Sequence, residues 1–205
     1  MEYLNKIVEY INAKLHHQLF VCDDVFANRK VLCIAQSLPR RNGEVLELLP
    51  SYVDEKGEGC YVGPDDDYDL IIYHRVNSLT PAKSALASAP IKSFGDQDPP
   101  IINQVSMSMV VFGIRKNLKL TNDEMAVLIQ ANFPSKLPKG LIQLLKFVRT
   151  DIFINNIVLN DLQVFREEFQ NIEFFLKPEQ YLFKINYTIE STYLKECFIK
   201  NCNCE

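Results

Sequence analysis

The chain has 205 residues, 47% hydrophobic and 23% charged, ordinary proportions for a folded domain that exclude disorder of the whole chain. Its 22 Lys and Arg against 26 Asp and Glu leave a formal net charge of −4, which argues against general binding to phosphate backbones. No run of about 18 apolar residues occurs, so no membrane-spanning helix is expected, and Met1 to Leu15 lacks the apolar core of a signal peptide.

Residues 2–17 read as an amphipathic helix. Leu4, Ile7, Val8, Ile11 and Leu15 recur at steps of three and four and so share one face. Residues 30–38 read as a strand, and Pro39 to Gly43 as a polar turn. A second strand is expected over 44–53, with Pro50 marking an edge or a bend. Residues 54–67 form a loop rich in Gly and Asp, and 68–76 a strand.

Residues 78–104 differ in texture, with Pro81, Pro90, Pro99 and Pro100 among many Ser and Ala. A span this long without periodicity reads as a loop insertion. A half-buried strand follows over 105–114. Thr121-Asn122-Asp123-Glu124 is a capping box, with Thr121 as N-cap of a helix over 122–131. Pro138 is placed to open a helix over 139–148. Strands are expected over 151–159 and 172–176, with a short helical piece at 161–169 between them. The last strand is 181–190. There Phe183, Ile185, Tyr187 and Ile189 alternate with Lys184, Asn186, Thr188 and Glu190.

Helices grouped among runs of strands, without regular βαβ alternation, indicate an α+β fold with a mainly antiparallel sheet. The N-terminal and central helices would pack on that sheet. One domain over 1–205 is expected, carrying the insertion at 78–104.

Chemistry-bearing patterns are few. The cysteines Cys22, Cys33, Cys60, Cys197, Cys202 and Cys204 read as free thiols of a reducing compartment. The tail spacing Cys197-x4-Cys202-x-Cys204 has no second ligand pair to complete a zinc site. The densest acidic run is Asp65-Asp66-Asp67-Tyr68-Asp69. Its four carboxylates could chelate Mg²⁺ or Ca²⁺, and Asp67 and Asp69 share a face just before an apolar strand as candidate metal ligands. The pair resembles the Asp-x-Asp strand of nucleotidyltransferases, which would imply metal-assisted phosphoryl transfer. Gly57-Glu58-Gly59-Cys60 stands where that family carries Gly-Ser, and only Glu173 is available as a third carboxylate. An acidic turn, with Asp side chains on their own backbone amides, explains the run better. His74 reads as a hydrogen-bonded strand residue, since no nucleophile accompanies it. No catalytic residue, enzymatic activity or cofactor is expected.

The order of the helix at 2–17, the strand at 68–76, the loop at 78–104, the strand at 105–114, the helix at 122–131 and the strand at 181–190 resembles the ring-forming tail terminators (tail completion proteins) of phage necks and tails. The resemblance implies a structural protein that joins tail to head, made in the host cytoplasm and located in the virion. It implies self-association into a ring, a hexamer or dodecamer, with neighbouring neck and tail proteins as partners and DNA only as passing cargo. The insertion would reach the next subunit through Pro81, Pro90, Phe94, Pro99, Pro100 and Ile101. The other readings are the nucleotidyltransferase-like enzyme using Asp67 and Asp69, and a cytosolic adaptor docking through its N-terminal helix.

Overall fold

The computed structural model describes residues 2–19, 29–53, 57–62, 70–84, 100–114, 121–170 and 180–194. The elements are α1 (Glu2–Leu19), β1 (Arg29–Ile34), β2 (Gln36–Asn42), β3 (Val45–Val53), β4 (Gly59–Tyr61), β5 (Leu70–Ser84), β6 (Ile101–Ile114), α2 (Asn122–Asn132), α3 (Lys139–Leu144), β7 (Arg149–Val158), α4 (Asp161–Glu168) and β8 (Gln180–Tyr193). The fold is α+β with antiparallel-rich sheets. A five-stranded sheet runs β1-β5-β6-β8-β7, and a three-stranded sheet runs β2-β3-β4. The β1–β5 pair is parallel, with its register shifting between Val31 and Ile34. Among the described residues no helix is long and apolar enough to cross a membrane.

The chain forms two compact units. The first comprises Met1–Arg75, Ser108–Phe133 and Ile154–Asn186, the second Val76–Met107, Pro134–Phe153 and Tyr187–Glu205. Strands β5, β6, β7 and β8 each pass from one into the other.

In the first unit the apolar stripe of α1 is the core face. Leu4, Ile7, Val8, Ile11 and Leu15 are all buried, and α1 packs against α2 and β1. Removing any one of these side chains would cost about 2–5 kcal/mol. The capping box of α2 is complete. Thr121 Oγ1 accepts the Glu124 N–H at 3.4 Å, and the Glu124 carboxylate accepts the Thr121 N–H at 2.8 Å. These bonds hold the Glu124 carboxyl below its usual range. A second core joins Ala35, Leu49, Val62, Ile71, Tyr73, Val110, Phe112, Val164, Phe165, Phe169 and Leu182. Phe165 and Phe169 stack there with centroids 5.1 Å apart.

Three expectations in this unit are revised. The strand expected over 30–38 breaks at Ala35, whose N–H bonds the His74 carbonyl at 2.8 Å. Residues 36–42 leave as β2, so the turn sits at Gly43 and Glu44 rather than across Pro39 to Gly43, with Gly43 at φ 61°. Pro50 lies in the central strand of the small sheet, not at an edge. Its partner across β2 is Ser37. The Pro50 carbonyl accepts the Val62 N–H at 2.7 Å on the side away from β2, so the missing N–H of Pro50 removes no bond to β2.

In the second unit Val105, Met107, Leu137, Phe147, Ile152, Tyr187 and Ile189 are buried. The Tyr187 hydroxyl lies 3.6 Å from Met107 Sδ, and burial pushes its pKa up. Pro138 is the N-cap of α3 rather than its first residue, and the helix ends at Leu144 instead of 148. The stop is a Schellman turn. The Lys146 N–H bonds Gln143 O and the Phe147 N–H bonds Ile142 O, both at 3.0 Å, with Lys146 at φ 56°. The segment expected as a loop over 78–104 is strand at both ends, in β5 as far as Ser84 and in β6 from Ile101. Residues 85–99 lie outside the described residues.

Thr150 Oγ1 and Ser191 Oγ are buried without a hydrogen-bond partner among the described residues. Each forfeits the hydration it had in the unfolded chain. Thr150→Val keeps the branched shape and removes the stranded hydroxyl. It should raise stability by about 1 kcal/mol, read as an increased urea midpoint at unchanged slope.

Candidate functional site

Two features of the first unit concentrate polar or exposed apolar groups. The first is built on α4. Asn160 caps the helix, its side chain accepting the Gln163 N–H at 3.0 Å. Val164, Phe165 and Phe169 face the core, and Glu168 falls on that same buried face with 2% exposure. A carboxylate there requires partners. Tyr73 and Arg75, two apart on β5, project from the same face of the strand. The Tyr73 hydroxyl donates to Glu168 Oε2 at 3.1 Å and Arg75 Nη1 donates to the same oxygen at 2.6 Å. Lys184 of β8 reaches Glu168 Oε1 at 3.4 Å and also pairs with Glu167. Glu167 in turn accepts from Gln163 Nε2 at 3.0 Å.

The electrostatics follow from these contacts. Lys184 beside Glu167 holds that carboxyl below its usual range. Burial, and then the Glu168 charge, push the Tyr73 hydroxyl well above the usual tyrosine value. Both acids are spent on internal donors, and the tyrosine is held protonated. The cluster binds α4 to the sheet rather than presenting an acid or base to a substrate. On the outer side of α4 a shallow groove of about 420 Å³ is lined by Asn160, Leu162, Gln163, Arg166, Glu167 and Gln170.

The second feature is the β2-β3-β4 ribbon. All seven residues of β2 are exposed. Arg40 donates to Glu47 Oε2 through Nε at 3.0 Å and Nη2 at 2.6 Å, and Asn42 Nδ2 donates to Glu47 Oε1 at 2.9 Å. The Asn42 bond and then Arg40 hold the Glu47 carboxyl below its usual range. The Arg40 guanidinium lies 5.7 Å from the Tyr61 ring centroid, and the Tyr61 hydroxyl donates to the Pro39 carbonyl at 3.2 Å. Around this polar clasp several apolar side chains are exposed. Leu38 and Tyr61 are exposed, Val45 and Leu46 are half exposed or more, and Val53 is 71% exposed. The clasp ties β2 to β3, while Leu49 of the same ribbon is buried in the second core.

His74 has a structural place. It is fully buried, its ring Nε2 lies 2.8 Å from Asn12 Oδ1 of α1, and Asn12 Nδ2 donates to the Leu32 carbonyl at 3.2 Å. Burial lowers its pKa to about 3. The ring is therefore neutral, with Nε2–H donating to Asn12. Asp67, Asp69 and Glu173 lie outside the described residues, as do Pro90, Phe94, Pro99 and the cysteines of the tail. Pro81 lies within β5, Pro100 is buried, and Ile101 opens β6 half-buried. Among the described residues no three His, Cys, Asp or Glu side chains gather as a metal site.

Sequence reasoning did not bring forward Glu168, Tyr73, Arg75 and Lys184. Glu168 stands 95 residues from Tyr73 and 93 from Arg75, and no local spacing signals such a meeting. The one available sign was a Glu on the apolar face of 161–169.

No family model and no curated protein sequence matches the chain.

Proposed function

We propose that the chain is a structural, non-catalytic subunit that associates with copies of itself into a closed ring, in the manner of phage neck and tail rings. In the virion its other neighbours would be neck and tail proteins, with DNA passing through as cargo. The observation that carries this reading is the β2-β3-β4 ribbon, which leaves Leu38, Val45, Leu46, Val53 and Tyr61 exposed on a strand pair braced by Arg40, Asn42 and Glu47. By register Leu38, Val45, Val53 and Tyr61 lie on one face of the ribbon and Leu46 on the other, and exposed apolar side chains on a braced element mark a contact with another protein. A patch that meets a different patch on the next copy generates a ring when the rotation closes. The α4 cluster supports the same reading, because its charges are consumed in holding the subunit rigid.

Leu46→Lys tests it. Leu46 is 56% exposed, so the change should move folding stability by less than about 0.5 kcal/mol. Light scattering should give the wild type a mass several times that of the subunit and Leu46→Lys a smaller one. A wild type at subunit mass up to millimolar concentration, or a variant that associates like the wild type, would overturn the reading.

A further inference from the structure

We infer that Asn42 is a site of spontaneous covalent modification. The backbone nitrogen of Gly43 displaces ammonia from the Asn42 side chain, and the Glu47 carboxylate is a latch that slows the step. The site does not depend on the ring.

Asn42-Gly43 is the one Asn-Gly pair in the chain, and every other asparagine precedes a residue that carries a Cβ. Asn-Gly is a hairpin signal because glycine takes the positive φ of a tight turn, and Gly43 does so here at 61°. The same missing side chain leaves the Gly43 nitrogen unshielded. Among the described residues no atom lies within 4 Å of the position a Cβ would take, and the Gly43 N–H makes no backbone hydrogen bond. Asn42 and Gly43 are both exposed, so water and solvent bases reach them.

The step balances with water as its co-reactant. Solvent base takes the Gly43 amide proton, and the nitrogen attacks Asn42 Cγ. The new C–N bond closes a succinimide ring. The Cγ–Nδ2 bond breaks, and that nitrogen leaves as ammonia with a proton from water. Water then adds to either imide carbonyl and breaks its bond to nitrogen, which leaves an aspartyl or an isoaspartyl residue.

The clasp holds the reacting carbon away from the turn. Asn42 pairs with Val45 beside the turn, whereas Glu47 pairs with Arg40, further from it. The bond from Asn42 Nδ2 to Glu47 Oε1, at 2.9 Å, therefore draws the amide back along the ribbon and away from Gly43. Glu47 does not follow the amide toward the turn. It is 4% exposed and accepts from Arg40 Nε at 3.0 Å and Nη2 at 2.6 Å. Ring closure needs Cγ and the nitrogen in reacting contact, so the Asn42–Glu47 bond must open first.

The product undoes the clasp. A carboxylate at position 42 has no proton to donate to Glu47, and like charges at that distance repel. Arg40 then serves two carboxylates. An isoaspartyl link also routes the main chain through the side-chain carbon, which removes the regular pairing of this position with Val45. Ammonia is lost to solvent, so the change runs one way.

Peptide mass spectrometry of folded protein aged in mildly alkaline buffer tests the site and the latch. Asn42 should be the first asparagine converted. Glu47→Gln leaves only a neutral acceptor and should convert Asn42 about fivefold faster. Glu168→Ala lowers global stability without touching the clasp and should leave the Asn42 rate unchanged, since the end of the hairpin opens locally. Conversion of another asparagine before Asn42, an unchanged rate in Glu47→Gln, or an equal acceleration in Glu168→Ala would overturn the proposal. Asn42→Asp supplies the aspartyl product directly. Its β2 amides should exchange with solvent faster than those of the wild type, and equal protection would contradict the loss of the clasp.

Discussion

Glu168→Ala should lower the stability of the protein by about 3–5 kcal/mol, the usual cost of breaking a buried ion pair by deleting one partner. Glu168 is 2% exposed, and the side chains of Arg75 and Lys184 are 16% and 13% exposed. Deletion strands the Arg75 guanidinium and the Tyr73 hydroxyl inside the sheet–helix contact, while Lys184 retains Glu167. A loss of 3 kcal/mol would lower the melting temperature of a chain this size by about 6–12 °C. Glu168→Gln keeps an acceptor for Tyr73 and loses the charge, so it should fall between the wild type and Glu168→Ala. The measurement is urea unfolding of the three proteins at pH 7. A cost below about 1 kcal/mol for Glu168→Ala would show that the cluster does not secure α4.

Acid should weaken the protein well before its carboxylates titrate. The folded His74 pKa is about 3, against about 6.5 in an unfolded chain. Between these values the unfolded chain holds a proton that the folded chain refuses, so stability rises with pH across the window. The His74 contribution is complete above pH 6.5 and is lost as pH falls toward 3. At pH 5 the loss is about 2 kcal/mol, from 1.5 pH units at 1.36 kcal/mol each. Glu47, Glu124 and Glu167, each with a lowered pKa, lose their contributions only at lower pH. His74→Gln keeps an N–H donor for Asn12 and removes the titration. Unfolding free energies from urea titrations at pH 7.5 and pH 5 should differ by about 2 kcal/mol less in His74→Gln than in the wild type. Equal pH dependence in both proteins would show that His74 charges freely in the folded state.

Local order was legible where one side-chain pattern had one solution. The α1 stripe of Leu4, Ile7, Val8, Ile11 and Leu15, the Thr121–Glu124 box, and the alternation of Phe183, Ile185, Tyr187 and Ile189 each specify an element without reference to distant residues. The other face of β8 shows where this stops. Leu182 is buried against α4's side of the sheet, and Lys184 is recruited to Glu167 and Glu168, so a strand that reads as half-polar is packed on both faces. Pro50 misled because its missing N–H was weighed without knowing which side of β3 needed bonds. The helix after Pro138 was overextended because a lysine at positive φ carries no sequence sign where glycine would. The α4 cluster was invisible for a different reason. Its members come from strands and a helix more than 90 residues apart in sequence at the widest, and only the folded sheet brings them together.

The ring itself is the claim on which the functional reading stands. Negative-stain imaging of the wild-type protein across a range of concentrations tests it most directly. Closed rings of uniform diameter, absent in Leu46→Lys, are the predicted result. Monomers at every concentration, or open filaments that never close, would contradict it.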